Sequence, residues 1–313
     1  MIWHPIAAAA VLTATLASTS AAAPPPPDPQ LEVIEIDRER YDRMTVPVTI
    51  QGQGPYDFLI DTGAQATVLS RALADELQLF ERKTATLVGM ASVQQVETTP
   101  IEDFTLGSRN FYIREAPVVE GAHIGEADGI LGIDSLQDQR VLLDFAKRRI
   151  AVADAEQLGG NSGYEIVVKA RERLGQMIIT SARLDGIKVD VIVDTGAQSS
   201  IGNLALLERL RRNPKLADTE MTDINGVTME GVVRVAERLD LGRASIQNFP
   251  ILFADSRPFH TLGLADKPAL VLGMAELKLF RRVAIDFKTR RVLFDLPRGV
   301  DLFDSMYGRR MGV

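Results

Sequence analysis

From about residue 44 onward the chain is a succession of short apolar or alternating runs, separated by glycine, proline, asparagine and aspartate. That is the pattern of strands joined by tight turns. The run 44–50 leads through a turn at 51–55, rich in glycine and proline, into a second run that ends Phe58-Leu59-Ile60. Runs at 84–90 and 93–99 predict a hairpin with Gly89-Met90-Ala91-Ser92 at its tip. Residues 104–106 and 111–113 flank a further turn, 129–134 reads as an apolar strand bounded by glycines, and 141–145 with 149–152 makes a closing hairpin. An earlier run, 31–36, reads as a strand joined to the rest by a polar stretch. Helical runs are few and short: 71–79 behind Ser70 and 204–211 behind Asn203, both good N-cap residues. The expected class is all-β.

The same order of runs occurs twice. A displacement of 133 residues lays Arg38-Glu39-Arg40 on Arg171-Glu172-Arg173, Met44 on Met177 and Asp57 on Asp190. Without a gap it also lays Asp61-Thr62-Gly63-Ala64-Gln65 on Asp194-Thr195-Gly196-Ala197-Gln198. Farther on, Val271-Leu272-Gly273 echoes Ile130-Leu131-Gly132, and Asn225-Gly226 supplies a strong hairpin turn where the second half needs one. A repeat of this length is an internal duplication. It divides the chain into an N-terminal lobe at 31–152, a polar connector at 153–163, a C-terminal lobe at 164–296 and a polar tail at 297–313.

Each copy of the shared pentapeptide begins where an apolar run stops on a carboxylate. Glycine two residues later lets the backbone turn sharply, which puts the aspartate at the tip of a tight loop. A carboxylate behind three apolar positions is costly unless it is hydrogen-bonded or kept for chemistry. Two similar halves pairing about a pseudo-twofold axis bring Asp61 and Asp194 together. Like charges so close share one proton. One carboxylate then serves as base toward a water while the other protonates a carbonyl.

Composition narrows the alternatives. Apolar residues at 46% and charged residues at 25% describe an ordinary globular chain, and a net charge of −7 without a basic block argues against a nucleic-acid partner. The absence of cysteine excludes disulfides, thiolate metal sites and a cysteine nucleophile. His4, His123 and His260 have no metal-ligand spacing, and no cofactor fingerprint appears, so neither metal nor cofactor is expected. Residues 1–23 read as a secretory signal, an apolar run at 6–16 followed by small residues at 17–23. The apolar run is shorter than the ~20 residues a membrane span needs. Residues 24–30 form a Pro-rich linker, and the mature chain is expected in the periplasm or secreted, without stable membrane insertion. Asp128 and Asp134 are read as turn caps, and Asp144 and Asp286 as partners of Lys147 or Lys288.

The motifs Leu59-Ile60-Asp61-Thr62-Gly63-Ala64 with Ile130-Leu131-Gly132, and Ile192-Val193-Asp194-Thr195-Gly196-Ala197 with Val271-Leu272-Gly273, resemble those of the retropepsin-like aspartic protease superfamily. The likeness covers about residues 40–152 and 175–295 and is greatest to the bacterial exported branch with two fused halves. It implies a bilobal all-β endopeptidase acting as a monomer on a peptide or protein substrate. By position it implies catalytic roles for Asp61 and Asp194, cross-linking of the loops by Thr62 and Thr195, and close approach at Gly63 and Gly196. It implies flaps over the substrate with tips near Gly89 and Met90 and near Asn225 and Gly226. Ala64 and Ala197 stand where pepsin-like sites carry a hydroxyl, which implies a dyad that titrates higher and an optimum nearer neutrality. Two rival readings are a homodimer that pairs aspartates between subunits and an inactive peptide-binding scaffold on the same fold.

Overall fold

The computed structural model describes residues 45–107, 109–210 and 212–297. The expected signal, the Pro-rich linker, the strand at 31–36 and the tail from residue 298 lie outside the described residues. Alternating and apolar runs form strands almost throughout. In the first half these are β1 (Thr45–Ile50), β2 (Gln53–Ile60), β3 (Val68–Ser70), β4 (Lys83–Val88), β5 (Val93–Leu106), β6 (Arg109–Val119), β7 (Gly129–Leu131), β8 (Arg140–Asp144) and β9 (Arg149–Ala153). Helices α1 (Arg71–Glu76) and α2 (Ile133–Leu136) interrupt them. The second half has β10 (Ile166–Lys169), β11 (Arg171–Arg173), β12 (Gln176–Leu184), β13 (Ile187–Val193), β14 (Ile201–Gly202), β15 (Lys215–Thr222), β16 (Thr228–Leu241), β17 (Ala244–Phe253), β18 (Ala269–Leu272), β19 (Arg282–Asp286) and β20 (Arg291–Asp295). Its helices are α3 (Leu204–Arg209), α4 (Arg257–Thr261) and α5 (Met274–Leu277).

Each half folds its strands into one sheet that curls back on itself. The first has the order β1-β2-β7-β3-β6-β5-β4, with β1 also pairing β5, and the second β11-β12-β13-β18-β14-β17-β16-β15, with β12 also pairing β16. Apart from β11 the two orders correspond strand for strand, so the sequence duplication is a duplication of topology. Closing the sheet through β1–β5 and β12–β16 leaves only its end strands as edges and gives each half an apolar interior. Phe58 and Phe104 meet edge-on there, with ring centroids 5.3 Å apart.

A third sheet, β10-β20-β19-β8-β9, is built from both halves. At its centre β8 and β19 run antiparallel, with Leu142 opposite Ala284. These two strands are the equivalent apolar runs of the duplication, and their pairing ties one half to the other. Here the expectation for Asp286 is corrected. It is fully buried and pairs with Arg140, whose Nη2 lies 2.5 Å from Oδ2, rather than with Lys288. A carboxylate buried in a sheet needs a partner that is buried with it, and a turn lysine reaching toward water cannot serve. Asp144 accepts from the backbone N–H of Lys147, not its ammonium, at 3.0 Å, and its side-chain partner is Arg149 at 3.8 Å.

Two further expectations change. The run 129–134 is a strand only as far as Leu131, because Ile133 N–H donates to Ala64 O at 2.9 Å and the chain turns there into α2. Both helices stop short of their predicted ends: α1 ends at Glu76 with Leu77 as its cap, and α3 ends at Arg209 with Leu210 as its cap. Their starts follow the sequence, since Ser70 accepts from Leu73 N–H and Asn203 from Leu206 N–H.

Candidate active site

The site forms where β2 and β13 end. Each strand runs parallel to the apolar strand of the second motif, β2 beside β7 and β13 beside β18. Each aspartate is held at its base by the same bond: Asp61 N–H donates to Leu131 O and Asp194 N–H to Leu272 O, both at 3.1 Å. Past each aspartate the loop crosses back against the supporting strand. A Cβ on Gly132 would collide with the backbone of Ala66 and Thr67, and one on Gly273 with that of Ala197 and Ser199. This contact is the reason the supporting motif ends in glycine.

The structure brings Asp61, Thr62, Gly63 and Ala64 against Asp194, Thr195, Gly196 and Ala197. The threonines lock the loops reciprocally. Thr62 N–H donates to Thr195 Oγ1 and Thr195 N–H to Thr62 Oγ1, both at 3.1 Å. Each hydroxyl in turn donates across the junction, Thr62 Oγ1 to Val193 O at 3.0 Å and Thr195 Oγ1 to Ile60 O at 2.7 Å. All four groups are buried and satisfied, so the lock fixes the separation of the two aspartates. Gly63 packs on the Asp194 carboxylate and Gly196 on that of Asp61, and a Cβ on either glycine would strike the opposing acid.

Within each loop the carboxylate also accepts two backbone bonds. Asp61 Oδ1 takes Gly63 N–H at 2.8 Å and Ala64 N–H at 2.9 Å, and Asp194 Oδ1 takes Gly196 N–H at 2.9 Å and Ala197 N–H at 3.2 Å. The two side chains lie beside each other across the junction, each packed on the opposing glycine and within reach of a shared hydrogen bond. Burial pushes both carboxyls above the ordinary range, and the backbone N–H groups only partly oppose it. Asp194 is raised further, by burial first and then by the charge of Asp61 beside it. The pair therefore retains one proton into the range where an isolated aspartate is ionised.

Behind each loop stands a second acid that the sequence comparison did not single out as part of the site. In the first half Thr67 Oγ1 donates to Asp134 Oδ1 at 2.7 Å and accepts from Gly132 N–H at 3.2 Å. In the second, Ser200 Oγ donates to Glu276 Oε2 at 2.5 Å and accepts from Gly273 N–H at 3.2 Å. Asp134 does cap its helix, through Ser135 N–H, but it also braces the loop. Asp128 accepts from Asp57 N–H at 2.7 Å. Gln176 Nε2 reaches from the second half to Gly63 O at 2.6 Å.

The expected flap tips come together as well. Gly89 and Met90 lie in the β4–β5 turn, Asn225 and Gly226 in the β15–β16 turn, and Asn225 Nδ2 donates to Ser92 Oγ across the junction at 2.9 Å. Met90 packs with the apolar cluster that includes Ala197 and Phe259, and Ile224 with the one that includes Ala64 and Ile124. Among the described residues no group of three or more acids and histidines is placed to hold a metal ion.

Residues 46–138 match the family described as gag-polyprotein putative aspartyl protease, and residues 180–275 match the family described as aspartyl protease. No curated protein matches the chain. The two matches fall one on each half, and each contains one Asp-Thr-Gly loop with its supporting strand. With two aspartyl protease domains in tandem on a bilobal all-β fold, the chain belongs to the retropepsin-like aspartyl proteases in their two-lobe form.

Proposed function

We propose that the chain is an exported endopeptidase in which Asp61 and Asp194 together activate a water against a peptide carbonyl. The observation that carries this reading is the facing of two carboxyls whose burial and mutual repulsion favour a single shared proton. With the proton on Asp194, the Asp61 carboxylate removes a proton from the water as its oxygen attacks the carbonyl carbon. Asp194 gives its proton to the carbonyl oxygen, and a neutral gem-diol results. In the collapse Asp61 returns its proton to the leaving nitrogen. Asp194 takes one back from a gem-diol hydroxyl, and the starting protonation state is restored.

The lock between Thr62 and Thr195 supports the reading. A water held between two acids is useful only if their separation is fixed before substrate arrives. Both carboxylates come from one chain, which supports a monomer as the working unit. The signal-like segment supports export to the periplasm or medium. The test is cleavage of a mixed peptide library with pepstatin titrated in. Endoproteolysis that pepstatin abolishes at a stoichiometry of one per chain is expected. Absence of cleavage across the acidic to neutral range would leave only the scaffold reading.

A further inference from the structure

We propose that Asp223 is a positioning residue that ties the two flap tips together and holds them shut over the Asp61 and Asp194 loops when no substrate is present. Its carboxylate divides its work between the flaps. Oδ1 accepts from Asn225 N–H at 2.9 Å and Val227 N–H at 3.0 Å, which shapes its own turn. Oδ2 accepts from Ala91 N–H at 3.0 Å and Ser92 Oγ at 2.8 Å, both on the opposite flap. Asn225 Nδ2 adds its bond to Ser92 Oγ. Asp223 is buried, which opposes its charge, yet the donors from Ser92, Val227, Ala91 and Asn225 together hold it below the usual carboxylate range. The latch is therefore an ionised acceptor, the stronger kind of hydrogen bond.

Each tip also rests on the half that does not carry it. Met90 O accepts from Ser256 Oγ at 3.0 Å and Arg257 N–H at 2.9 Å, and the Met90 side chain packs with the second-half cluster. On the other side Gly226 lies against the His123 ring, and Ile224 packs with the first-half cluster. The tips have thus crossed over, with Met90 packed on the same apolar cluster as Ala197 and Ile224 on the same cluster as Ala64. The repeat does not account for the latch, because the displacement of 133 residues sets Met90 opposite Asp223 and Ser92 opposite Asn225. Only the second flap supplies the carboxylate.

The consequence for substrate entry rests on the protease reading. A substrate that binds only the open form sees an affinity reduced by the open fraction, so the latch sets KM without taking part in the chemical step. Ser92→Ala is the cleanest variant, since it removes two bonds between the flaps and none from the turn that Asp223 shapes. Hydrogen exchange on the substrate-free protein is expected to quicken by roughly tenfold in both 83–106 and 215–241. KM is expected to fall by roughly three- to tenfold with kcat within about twofold, and Ser92→Thr, which keeps the hydroxyl, to restore both. Faster exchange in neither flap, or only in the one mutated, would overturn the latch. Faster exchange in both with KM unchanged or raised would overturn its role as a gate. If wild type cleaves nothing while exchange responds as expected, the latch stands and the protease reading is what fails.

Discussion

The two halves make the same loop and brace it with different acids. In the first half the acid is Asp134, two residues past Gly132 and exposed, and it bonds to Thr67, Ser135 and the Thr67 amide. In the second it is Glu276, three residues past Gly273 and buried, and its side chain takes the Ser200 hydroxyl at 2.5 Å together with the N–H groups of Ser200 and of Glu276 itself. Burial pushes the Glu276 carboxyl above the ordinary range. The flaps differ in the same sense: one offers a backbone N–H and a serine, the other the carboxylate that receives them. Duplication preserved the loops, where both copies must meet at one point, and relaxed the parts that each half uses alone. What is symmetric is the chemistry, and what is asymmetric is its support.

The largest effect is expected from breaking the symmetric part. Asp61→Asn and Asp194→Asn should each lower kcat/KM by at least about 10²–10⁴-fold with the fold retained by circular dichroism. The double variant should be little worse, since the two carboxyls act as a unit. Unequal losses, with one variant near wild type, would make one aspartate structural. Next come the glycines that face the opposing acids. Gly63→Ala and Gly196→Ala should each cost on the order of 10²-fold in kcat, because the added methyl has nowhere to go without displacing a carboxyl by about 1 Å. Steady-state kinetics on the pair measures how symmetric the dyad is: losses within a few-fold of each other are expected.

Smaller effects sharpen the asymmetric part. Asp194 and Glu276 both have folded-state pKa values raised by burial. Each therefore binds protons more readily in the folded state. Its contribution to stability is fully present below its unfolded pKa and is lost as pH rises through its folded pKa. Melting temperature should accordingly increase from neutral to mildly acidic pH. Asp194→Asn and Glu276→Gln should raise it at neutral pH and flatten that slope, by roughly 2–4 °C for each kcal/mol regained. Thermal scans from neutrality to mild acid decide this, and a steeper slope in Glu276→Gln would contradict the assignment.

Much of the fold was legible because its signals are local. Period-two runs, the turns at 51–55 and at Asn225-Gly226, and the caps Ser70 and Asn203 each act over a few residues. The doubled Asp-Thr-Gly-Ala-Gln was legible because identical residues recur at one displacement. Glu276 escaped notice because it stands three residues past Gly273 where Asp134 stands two past Gly132, so laying one supporting motif on the other sets Ala275, not an acid, against Asp134. Asp223 and Ser92 carry no local mark, since their bond joins turns 131 residues apart. Arg140 and Asp286 are 146 residues apart, and along the chain Asp286 stands beside Lys288, the partner the sequence suggests. Such pairs are decided by sheet closure, and periodicity along the chain says nothing of them. The overrun of the strand at 129–134 has the same cause, because the bond from Ile133 N–H to Ala64 O belongs to the assembled site.

The most direct test of a complete site within one chain is a mixing experiment. Asp61→Asn and Asp194→Asn chains are unfolded together, refolded together, and assayed on one peptide beside each variant refolded alone. Because the Thr62–Thr195 lock and the facing carboxyls lie within a single chain, the mixture should show no activity beyond the sum of the two variants. Were aspartates paired between subunits instead, hybrid dimers would carry one intact site and activity would return to about a quarter of wild type. Recovery of that size, dependent on protein concentration, would contradict the single-chain site.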